Sequence, residues 1–378
     1  MVGAGRHRGI GRRRRGVKLM HIVGARPNFP KLAPVHRAAR AAGVEQVVVH
    51  TGQHYDDVMS GAFFRELGIP EADINLEVGS ASHAVQTARI MERLEPVLQA
   101  QRPDWLVVYG DVNSTMAAAI VAAKLGVPVA HVEAGLRSHD RTMPEEINRL
   151  VTDRLASLLL TPSRDADEAL MREGEPEDEI VFVGNVMIDS LLHVLPAARK
   201  SGARSAHRIT ATSVLVTLHR PSNVDDPDRL AAIMSGLRAL TADRTVLFPV
   251  HPRTRQRLEQ HGIGHDGIRM TDPLGYLEMV DLIDGAGAVV TDSGGVQEET
   301  TALGVPCFTL RENTERPITI TEGTNQLVSD PSTLPELVGA ARRPSNHRAP
   351  EGWDGRAGER IIEALAAHAE RKPALAAR

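Results

Sequence analysis

Short apolar runs alternate along the chain with longer stretches of amphipathic, helical character. Buried strands are indicated by the runs VKLMHIV, VEQVVVH, LVVY and VPVAHV, which end in glycine or polar turns before the next helical pattern begins. After a polar segment, RKSGARSAHR, the alternation restarts with SVLVTL, RTVLFPV and GAVVTD. This pattern predicts an α/β protein with two similar units in tandem, in which parallel strands gather ligand-binding residues at their carboxyl ends.

Length and composition agree with this picture. A chain of 378 residues favours two domains, at roughly 100 to 200 residues each. Hydrophobic residues make up 42% and aromatic residues only 3%, which is typical of a soluble α/β protein with a core of small aliphatic side chains. No apolar run approaches the ~18 residues that a membrane span needs. The single cysteine, Cys307, cannot form an internal disulfide, so we expect a reducing, cytoplasmic location.

The amino-terminal arm differs from the rest of the chain. Residues 1–18 carry seven Arg or Lys and no acid, and without those seven charges the net −4 of the chain becomes −11. A basic arm can bind nucleic acid or act as a targeting signal, but this one lacks an apolar core and the acidic body shows no basic face. We therefore expect residues 1–16 to be a disordered extension, and we predict no nucleic-acid or membrane partner.

Three carboxylates converge on one predicted edge of the first sheet. Asp111 follows the strand LVVY, before a helix for which Asn113 or Ser114 is the expected cap, and Glu133 ends VPVAHV. A single acid in such a place is more often a turn residue or an N-terminal helix residue. Because three converge, we favour catalysis for Asp111 and Glu133. Spacing alone leaves Glu145 open between a catalytic acid and a helix-starting acid.

The second unit contains a candidate phosphate site. Its strand GAVVTD runs into Ser293, Gly294 and Gly295, and a helix begins there. A glycine pair at a helix N-terminus exposes backbone N–H groups that, with the helix dipole, bind phosphate without a metal. Taken alone, this segment could be an ordinary turn between a strand and a helix. Glu299, one helical turn further on, is a candidate acceptor for ribose hydroxyls, and Arg316 could complete the charge balance.

The remaining candidates are cations and hydrogen-bonding groups that follow predicted strands. They are Arg26 and Lys31 after VKLMHIV, Gln53 after VEQVVVH, His219 and Arg220 after SVLVTL, and His251 after RTVLFPV. Each alone is more often a solvated charge or a structural hydrogen bond. Beside a diphosphate, His219 could donate a proton to a departing oxygen, and Arg220 suggests an anionic partner. The turn GARPN lacks the G-x-G-x-x-G pattern, so neither a nicotinamide nor a flavin cofactor is indicated, and we predict no metal.

Together these motifs resemble the non-hydrolysing UDP-N-acetylglucosamine 2-epimerases, a family with a GT-B-type fold. The resemblance runs from Val17 to about Val328 and depends on these segments, in the family's order: GARPNFPKLAPV, TGQHYD, GDVNSTMA, HVEAGLRS, MPEEINR, GNVMID, TLHRPSN, PVHPRT, TDSGGVQEE and TERP. It implies two Rossmann-like domains facing a central cleft, at residues 17–184 and 185–355. It also implies that the helical segment within 356–378 packs back on the first domain.

The resemblance assigns roles by matching positions. It implies that the catalytic residues are Asp111, Glu133, Glu145 and His219, and that the UDP part is held by Arg26, Lys31, Ser293, Gly294, Glu299 and Arg316. The implied reaction is the reversible C2 epimerisation of UDP-N-acetylglucosamine to UDP-N-acetylmannosamine. It proceeds by anti elimination of UDP, a 2-acetamidoglucal intermediate and readdition of UDP. A homodimer that needs no cofactor is implied as well.

Two alternatives stay open at this point. The segments TGQHYD and RSHDRTMPEE also resemble epimerases of UDP-2,3-diacetamido-2,3-dideoxy-glucuronate-type sugars. A GT-B glycosyltransferase would share the two domains and the UDP site, but it needs an acceptor cleft rather than carboxylates around C2. Asp56 stands where relatives that are activated by their own substrate often have glutamine, so such activation is not expected.

Overall fold

A computed structural model describes residues 17–52 and 67–371 of the chain. The first sheet has seven strands: β1 Lys18–Val23, β2 Glu45–His50, β3 Ile74–Asn75, β4 Trp105–Tyr109, β5 Val129–Val132, β6 Leu158–Thr161 and β7 Ile180–Phe182. The second has six: β8 Val214–Thr217, β9 Val246–Pro249, β10 Ile268–Thr271, β11 Ala288–Thr291, β12 Cys307–Thr309 and β13 Asn325–Leu327. All of their pairings are parallel. The prediction of an α/β protein with two parallel sheets is confirmed.

Helices connect these strands. Those of the first half are α1 Phe29–Ala41, α2 His83–Gln101, α3 Asn113–Lys124, α4 Pro144–Leu155, α5 Arg164–Arg172 and α6 Val186–Ala198. Those that follow are α7 Ala203–Ala206, α8 Pro221–Val224, α9 Pro227–Leu240, α10 Pro252–Gln260, α11 Tyr276–Gly285, α12 Gly294–Leu303, α13 Ile318–Thr321, α14 Leu334–Ala340 and α15 Ala357–Arg371. Short 3-10 turns lie at Arg26–Asn28, Glu177–Glu179 and Pro331–Thr333. In the described ranges, each helix is too short or too polar to cross a membrane.

Both faces of the first sheet are buried, which explains why its strands are nearly continuous apolar runs. Along β4, Trp105, Val107 and Tyr109 join the apolar cluster on one face. Leu106 and Val108 join a separate cluster on the other face. Side chains alternate between the two faces of a strand, so a run in which every residue is apolar fits a sheet covered on both sides.

The order of the strands creates a crevice in each sheet. The first sheet is ordered β3-β2-β1-β4-β5-β6-β7 and the second β10-β9-β8-β11-β12-β13. In the first, the chain moves outward from β1 to β3 and then returns to place β4 on the other side of β1; β8 and β11 make the same reversal in the second. Ligands of open α/β sheets bind outside the carboxyl ends of the strands at such reversals.

One local prediction was wrong. Neither Asn113 nor Ser114 caps α3, because the helix already includes both residues and its cap position is Val112, which offers no side-chain acceptor. The side chain of Asn113 instead donates to Gln86 Oε1 at 2.8 Å and so links α3 to α2. The sequence also shows a helical pattern at residues 57–67, of which the structure describes only Leu67, and the basic extension at 1–16 lies outside the described residues.

The last helix packs against the first half of the chain. In α15, Ile361 and Leu365 belong to the same buried cluster as Leu32 of α1. The start of α15 is held by Asp189 of α6, whose carboxylate accepts the backbone N–H groups of Ala357 and Gly358 at 3.1 and 2.8 Å. The carboxyl-terminal helix is therefore tied to α1 and α6, while the exact domain boundaries stay predictions.

We expect Ile361→Ala to lower the free energy of unfolding by about 2 to 5 kcal/mol, because the side chain is fully buried and its removal leaves a cavity. Urea unfolding followed by circular dichroism measures this change. The matched control is Glu363→Ala on the exposed side of the same helix, which should change the free energy by less than about 0.5 kcal/mol. Equal effects of the two substitutions would show that α15 does not pack as described.

Candidate active site

Two of the predicted carboxylates follow neighbouring strands of the first sheet. Asp111 comes two residues after the end of β4 and Glu133 directly after β5, and these strands are hydrogen-bonded to each other. Gly110 separates β4 from Asp111 and has a φ of +61°, in the left-handed region. A Cβ at this position would collide with the ammonium group of Lys31 and lie 3.2 Å from Glu133 Oε2. The glycine therefore leaves room for Lys31 to reach Glu133.

Glu133 is the most confined of these acids. Its φ is 74°, a conformation that is uncommon for a residue with a side chain, and it is 6% exposed. Its carboxylate forms one ion pair with Lys31 of α1 and a second with Arg316 of the other half of the chain, whose Nη2 lies 2.8 Å from Oε1. Glu133 is thus paired with two cations in a buried part of the structure.

Asp111 is held from α4 and is partly open to solvent. Its Oδ2 lies 2.6 Å from Arg149 Nη2, and its backbone carbonyl accepts the side-chain amide of Asn148 at 2.8 Å. The carboxylate is 24% exposed, so a ligand in the crevice can reach it. Burial alone would raise the pKa of Asp111, but the attraction of Arg149, Lys31 and Arg316 holds that pKa below its ordinary value. Asp111 is thus a carboxylate at neutral pH.

The two acids at the start of α4 have different environments. Glu145 is exposed, whereas Glu146 is buried. Glu146 accepts the backbone N–H groups of Ser138 and His139 at 3.0 and 2.9 Å, and it pairs with Arg149 Nη1 at 2.6 Å. Burial raises its pKa, but these bonds together lower it below the ordinary value. Glu146 therefore fixes the loop before α4, and the catalytic role of its neighbour Glu145 stays a prediction.

Arg316 joins the two halves of the chain. Besides Glu133, its guanidinium contacts Glu298 of α12, with Nε 3.0 Å from Oε1, and the adjacent Glu315. Burial opposes the charge, but the carboxylates of Glu298, Glu315 and Glu133 raise the pKa of Arg316 above its ordinary value. The sequence suggested this arginine as a countercharge for phosphate. The structure shows it bound by three carboxylates, of which Glu298 and Glu315 had not been singled out.

The predicted phosphate segment is placed at the start of α12. Ser293 occupies the cap position, and its backbone N–H donates to Thr291 Oγ1 at 3.0 Å. A Cβ at Gly294 would lie 2.6 Å from Arg316 Nη1, so a glycine is required for the guanidinium to approach the helix start. Gly295 follows as the second residue of the helix. The segment therefore lies next to Arg316 and the three carboxylates that pair with it.

Glu299 lies one turn into the same helix and is buried. The hydroxyl of Tyr276 donates to its Oε1 at 2.9 Å. Burial raises the pKa of Glu299 to about 7, the Tyr276 bond lowers it, and the nearby charge of Glu298 raises it. Near neutral pH the group is therefore divided between its acid and its carboxylate. Its predicted role as an acceptor for ribose hydroxyls stays open.

His219 and Arg220 follow β8 and face residues that follow β11 and β12. The Nδ1 atom of His219 lies 3.0 Å from Asp292 Oδ1, and the ring is about half exposed. Asp292 also accepts the backbone N–H groups of His219 and Arg220 at 3.1 and 3.0 Å. Burial raises the pKa of Asp292, but its bond to His219 and the further donors lower it. Arg220 Nη2 lies 3.7 Å from Glu315 Oε1, which connects the pair to the Arg316 cluster.

The remaining predicted residues give little further information about the site. His251 lies at the cap of α10, where its Nδ1 atom accepts the backbone N–H of Arg253 at 3.3 Å, and its ring is exposed. The backbone of Arg26 lies in the turn after β1, but its side chain, like Gln53, His54 and Asp56, lies outside the described part of the chain. Among residues 17–52 and 67–371, no group of three or more His, Cys, Asp or Glu could hold a metal ion.

Arg149 forms ion pairs with both Asp111 and Glu146, and the sequence had not indicated it as a site residue. One signal was available, because Glu146 and Arg149 are spaced i, i+3 on a predicted helix and such residues are neighbours on its surface. The link from Arg149 to Asp111 had no such signal, since the two residues are 38 positions apart.

Comparisons with known proteins agree on one family. A family profile described as UDP-N-acetylglucosamine 2-epimerase matches residues 36–366. The UDP-N-acetylglucosamine 2-epimerase of Methanocaldococcus jannaschii is 42% identical over 364 residues, which make up 92% of this chain and 99% of that protein. The UDP-2,3-diacetamido-2,3-dideoxy-D-glucuronate 2-epimerase of Pseudomonas aeruginosa is 43% identical over 317 residues, or 82% of this chain and 88% of that protein.

The fold is shared with a solved structure as well. The crystal structure of the Methanocaldococcus jannaschii UDP-GlcNAc 2-epimerase in complex with UDP-GlcNAc and UDP aligns with a TM-score of 0.84 at 41% identity. The alignment covers 93% of this chain and 100% of that one. This match confirms the predicted fold of two parallel-sheet α/β domains.

We expect Glu299→Gln to change how stability depends on pH. Because the folded protein raises the pKa of Glu299 from an ordinary 4.5 to about 7, the bound proton stabilises the fold fully below about pH 4.5. That stabilisation is lost as the pH rises through about 7. The stability of the wild type relative to the variant should therefore fall by roughly 2 to 3 kcal/mol between about pH 5 and pH 8.

Urea unfolding at these two pH values measures the difference. Glu322→Gln, at an exposed position in the same half of the chain, is the matched control and should follow the wild type at both. A pH-independent gap between the wild type and Glu299→Gln would contradict the expectation.

Proposed function

Because this chain belongs to the UDP-N-acetylglucosamine 2-epimerase family, we propose that it interconverts UDP-N-acetylglucosamine and UDP-N-acetylmannosamine by inverting C2 of the sugar. The observation that supports this most directly is the pair Asp111 and Glu133 at adjacent strand ends, joined through Arg316 to the other half of the chain. Inversion needs proton transfer on two faces of C2, and the site supplies more than one carboxylate for it.

Elimination followed by readdition gives the reaction a feasible route. No carbonyl activates the C2–H bond, so direct removal of this proton would leave an unstabilised carbanion. If a carboxylate takes the C2 proton while the C1–O bond breaks, the C–H electron pair forms the C1–C2 double bond of a 2-acetamidoglucal. The electrons of the C1–O bond leave with UDP. Readdition of UDP at C1, with a proton delivered to the other face of C2, gives the manno epimer.

The charge and exposure of the three acids are consistent with proton transfer at C2. Asp111 is ionised and partly exposed, as a group that accepts the C2 proton must be. Glu133 is buried beside two cations, and Glu145 lies at the start of α4, where it is open to solvent. Our hypothesis assigns the proton transfers to these three acids, without fixing which acid serves which face of C2.

The other half of the chain suits the leaving group. His219 is oriented by Asp292 and remains half exposed, so its second ring nitrogen can donate to a diphosphate oxygen. Arg220 lies next to it and adds a positive charge. Ser293 and Gly294 place the N-terminus of α12 on the same side of the sheet, where backbone N–H groups stabilise phosphate.

A second substrate is favoured by one comparison. The relative from Pseudomonas aeruginosa, at 43% identity, is a UDP-2,3-diacetamido-2,3-dideoxy-D-glucuronate 2-epimerase, so the groups at C3 and C6 are the part of the substrate that needs testing. The glycosyltransferase alternative receives no support from the family match, and the carboxylates around the proposed C2 position also favour an epimerase. The homodimer and the cytoplasmic location stay predictions.

Proton NMR of UDP-N-acetylglucosamine with the purified protein in D2O is the direct test. We expect UDP-N-acetylmannosamine to appear with deuterium at C2, because the proton that is lost exchanges with solvent before its replacement is delivered. Free N-acetylmannosamine with UDP would mean hydrolysis instead. An unchanged spectrum would contradict the proposed substrate, and the UDP-diacetamido-glucuronate sugar would then be tested in the same assay.

We expect Asp111→Asn and Glu133→Gln each to lower kcat by about 10²-fold or more, the range typical of general acid-base groups. Each substitution keeps the shape of the side chain and removes its charge. Initial rates of UDP-N-acetylmannosamine formation measure the loss, with Glu92→Gln on the exposed face of α2 as the control. Near wild-type turnover in both variants would show that these carboxylates do not carry the proton transfers.

A further inference from the structure

A buried histidine lies beneath the two strand ends that carry Asp111 and Glu133. His131 belongs to β5, and its exposed fraction is zero. Its Nε2 atom lies 2.8 Å from the backbone carbonyl of Gly110, and its Nδ1 atom lies 2.5 Å from Asp153 Oδ1. Gly110 is the residue directly before Asp111. The imidazole therefore connects the loop after β4 with α4, which carries Asp153.

Asp153 extends this connection to the loop after β5. Its Oδ2 atom accepts the backbone N–H of Gly135 at 3.2 Å and pairs with Arg137 Nη1 at 2.7 Å. Gly135 lies two residues after Glu133, and both have a positive φ, of 82° and 74°. Glycine adopts this conformation readily, but for Glu133, which carries a side chain, it persists only where neighbouring structure holds the backbone. The carboxylate of Asp153 supplies two of the contacts that hold this loop.

We propose that His131 and Asp153 are positioning residues, which fix the backbone after β4 relative to the backbone after β5 and so set Asp111 against Glu133 for proton transfer. This inference rests on the proposed epimerase function. Neither side chain is exposed enough to touch a substrate, since His131 is fully buried and Asp153 is 1% exposed. Their effect on the reaction passes through the backbone of Gly110 and Gly135.

The hydrogen-bond partners determine where the protons lie. A backbone carbonyl can only accept, so Nε2 of His131 must donate to Gly110. A second proton must lie between Nδ1 and the carboxylate of Asp153, because two lone pairs would repel each other at that distance. Burial raises the pKa of Asp153, but His131 and Arg137 lower it below its ordinary value. The hydrogen bond from Nε2 to Gly110 is the same whichever of Nδ1 and Asp153 holds the second proton.

The proposed epimerisation depends on the relative position of Asp111 and Glu133. One acid must take a proton from one face of C2, and another must deliver a proton to the opposite face. A displacement of about 1 Å in a catalytic group can lower a rate by about 10²-fold while leaving substrate binding intact. The phosphate-binding candidates Ser293 and Gly294 lie in the other half of the chain, and Lys31 is held by Glu133 rather than by His131 or Asp153. Loss of the positioning pair should thus lower kcat with little effect on KM.

Two substitutions of one residue separate positioning from stability. In His131→Gln the amide nitrogen takes the place of Nε2 and can still donate to Gly110, whereas in His131→Asn it takes the place of Nδ1 and can reach only Asp153. Both variants replace the imidazole with a neutral amide and are expected to have similar Tm values. We expect kcat of His131→Asn to be about 10-fold or more below that of His131→Gln, with KM and the Kd for UDP within about 2-fold of the wild type.

The matched control is His21→Asn. His21 is also fully buried in the first sheet, but it contacts Tyr109 Oη and Gln46 rather than a strand-end backbone, so kcat should stay near that of the wild type even if Tm falls. Equal kcat for the two His131 variants, or a loss confined to KM, would overturn the positioning role. An inactive wild type would overturn the proposed function and this inference together, whereas the other outcomes leave the proposed function standing.

A measurement on the wild type covers the case in which the His131 variants do not fold. In ¹⁵N NMR of the histidine rings, His131 should show a proton on Nε2 that exchanges slowly with solvent, because the ring is buried and Nε2 faces the carbonyl of Gly110. A ring without a proton on Nε2 would lack the bond to Gly110 on which the proposal depends and would overturn it.

Discussion

The ion pair between Glu133 and Arg316 is the interaction on which the rest of the site depends. It joins residues 183 positions apart, one after β5 and the other after β12, and both side chains are less than one tenth exposed. A buried charge without a partner is strongly destabilising, by about 3 to 5 kcal/mol when one member of a pair is removed. Each charge in this region is therefore matched: Lys31 also pairs with Glu133, and Glu298 and Glu315 also pair with Arg316.

Backbone conformation makes this concentration of charge possible. Gly110 leaves space for the Lys31 ammonium, and Gly294 leaves space for the Arg316 guanidinium. Glu133 adopts a left-handed conformation directly after β5, which turns the chain sharply at the edge of the sheet. Two glycines and one strained residue thus allow side chains from both halves to approach closely, and the contacts of Asp153 with the following loop oppose the relaxation of that strain.

The chemistry of the proposed reaction divides between the two halves in the same way. In the proposed reaction the first half of the chain supplies the carboxylates for proton transfer, and the second half supplies a histidine, an arginine and a helix N-terminus for the diphosphate. Breaking the C1–O bond and the C2–H bond together requires both sets at one sugar. The Glu133–Arg316 contact joins the two halves of the chain at this place.

The sequence by itself determined the alternation of strands and helices, the two parallel units, and the positions of Asp111, Glu133 and the Ser293–Gly295 segment at strand ends. These features depend on periodicity and on turn residues, which act between near neighbours in the chain. Only the tertiary structure decided that Glu146 rather than Glu145 is buried, that Arg149 binds Asp111, and that His131 contacts Gly110. Those contacts follow from the order of strands in the sheet and from the approach of the two halves, which bring together charges that are distant in sequence. The local sequence pattern does not predict these contacts between residues that are distant in the chain.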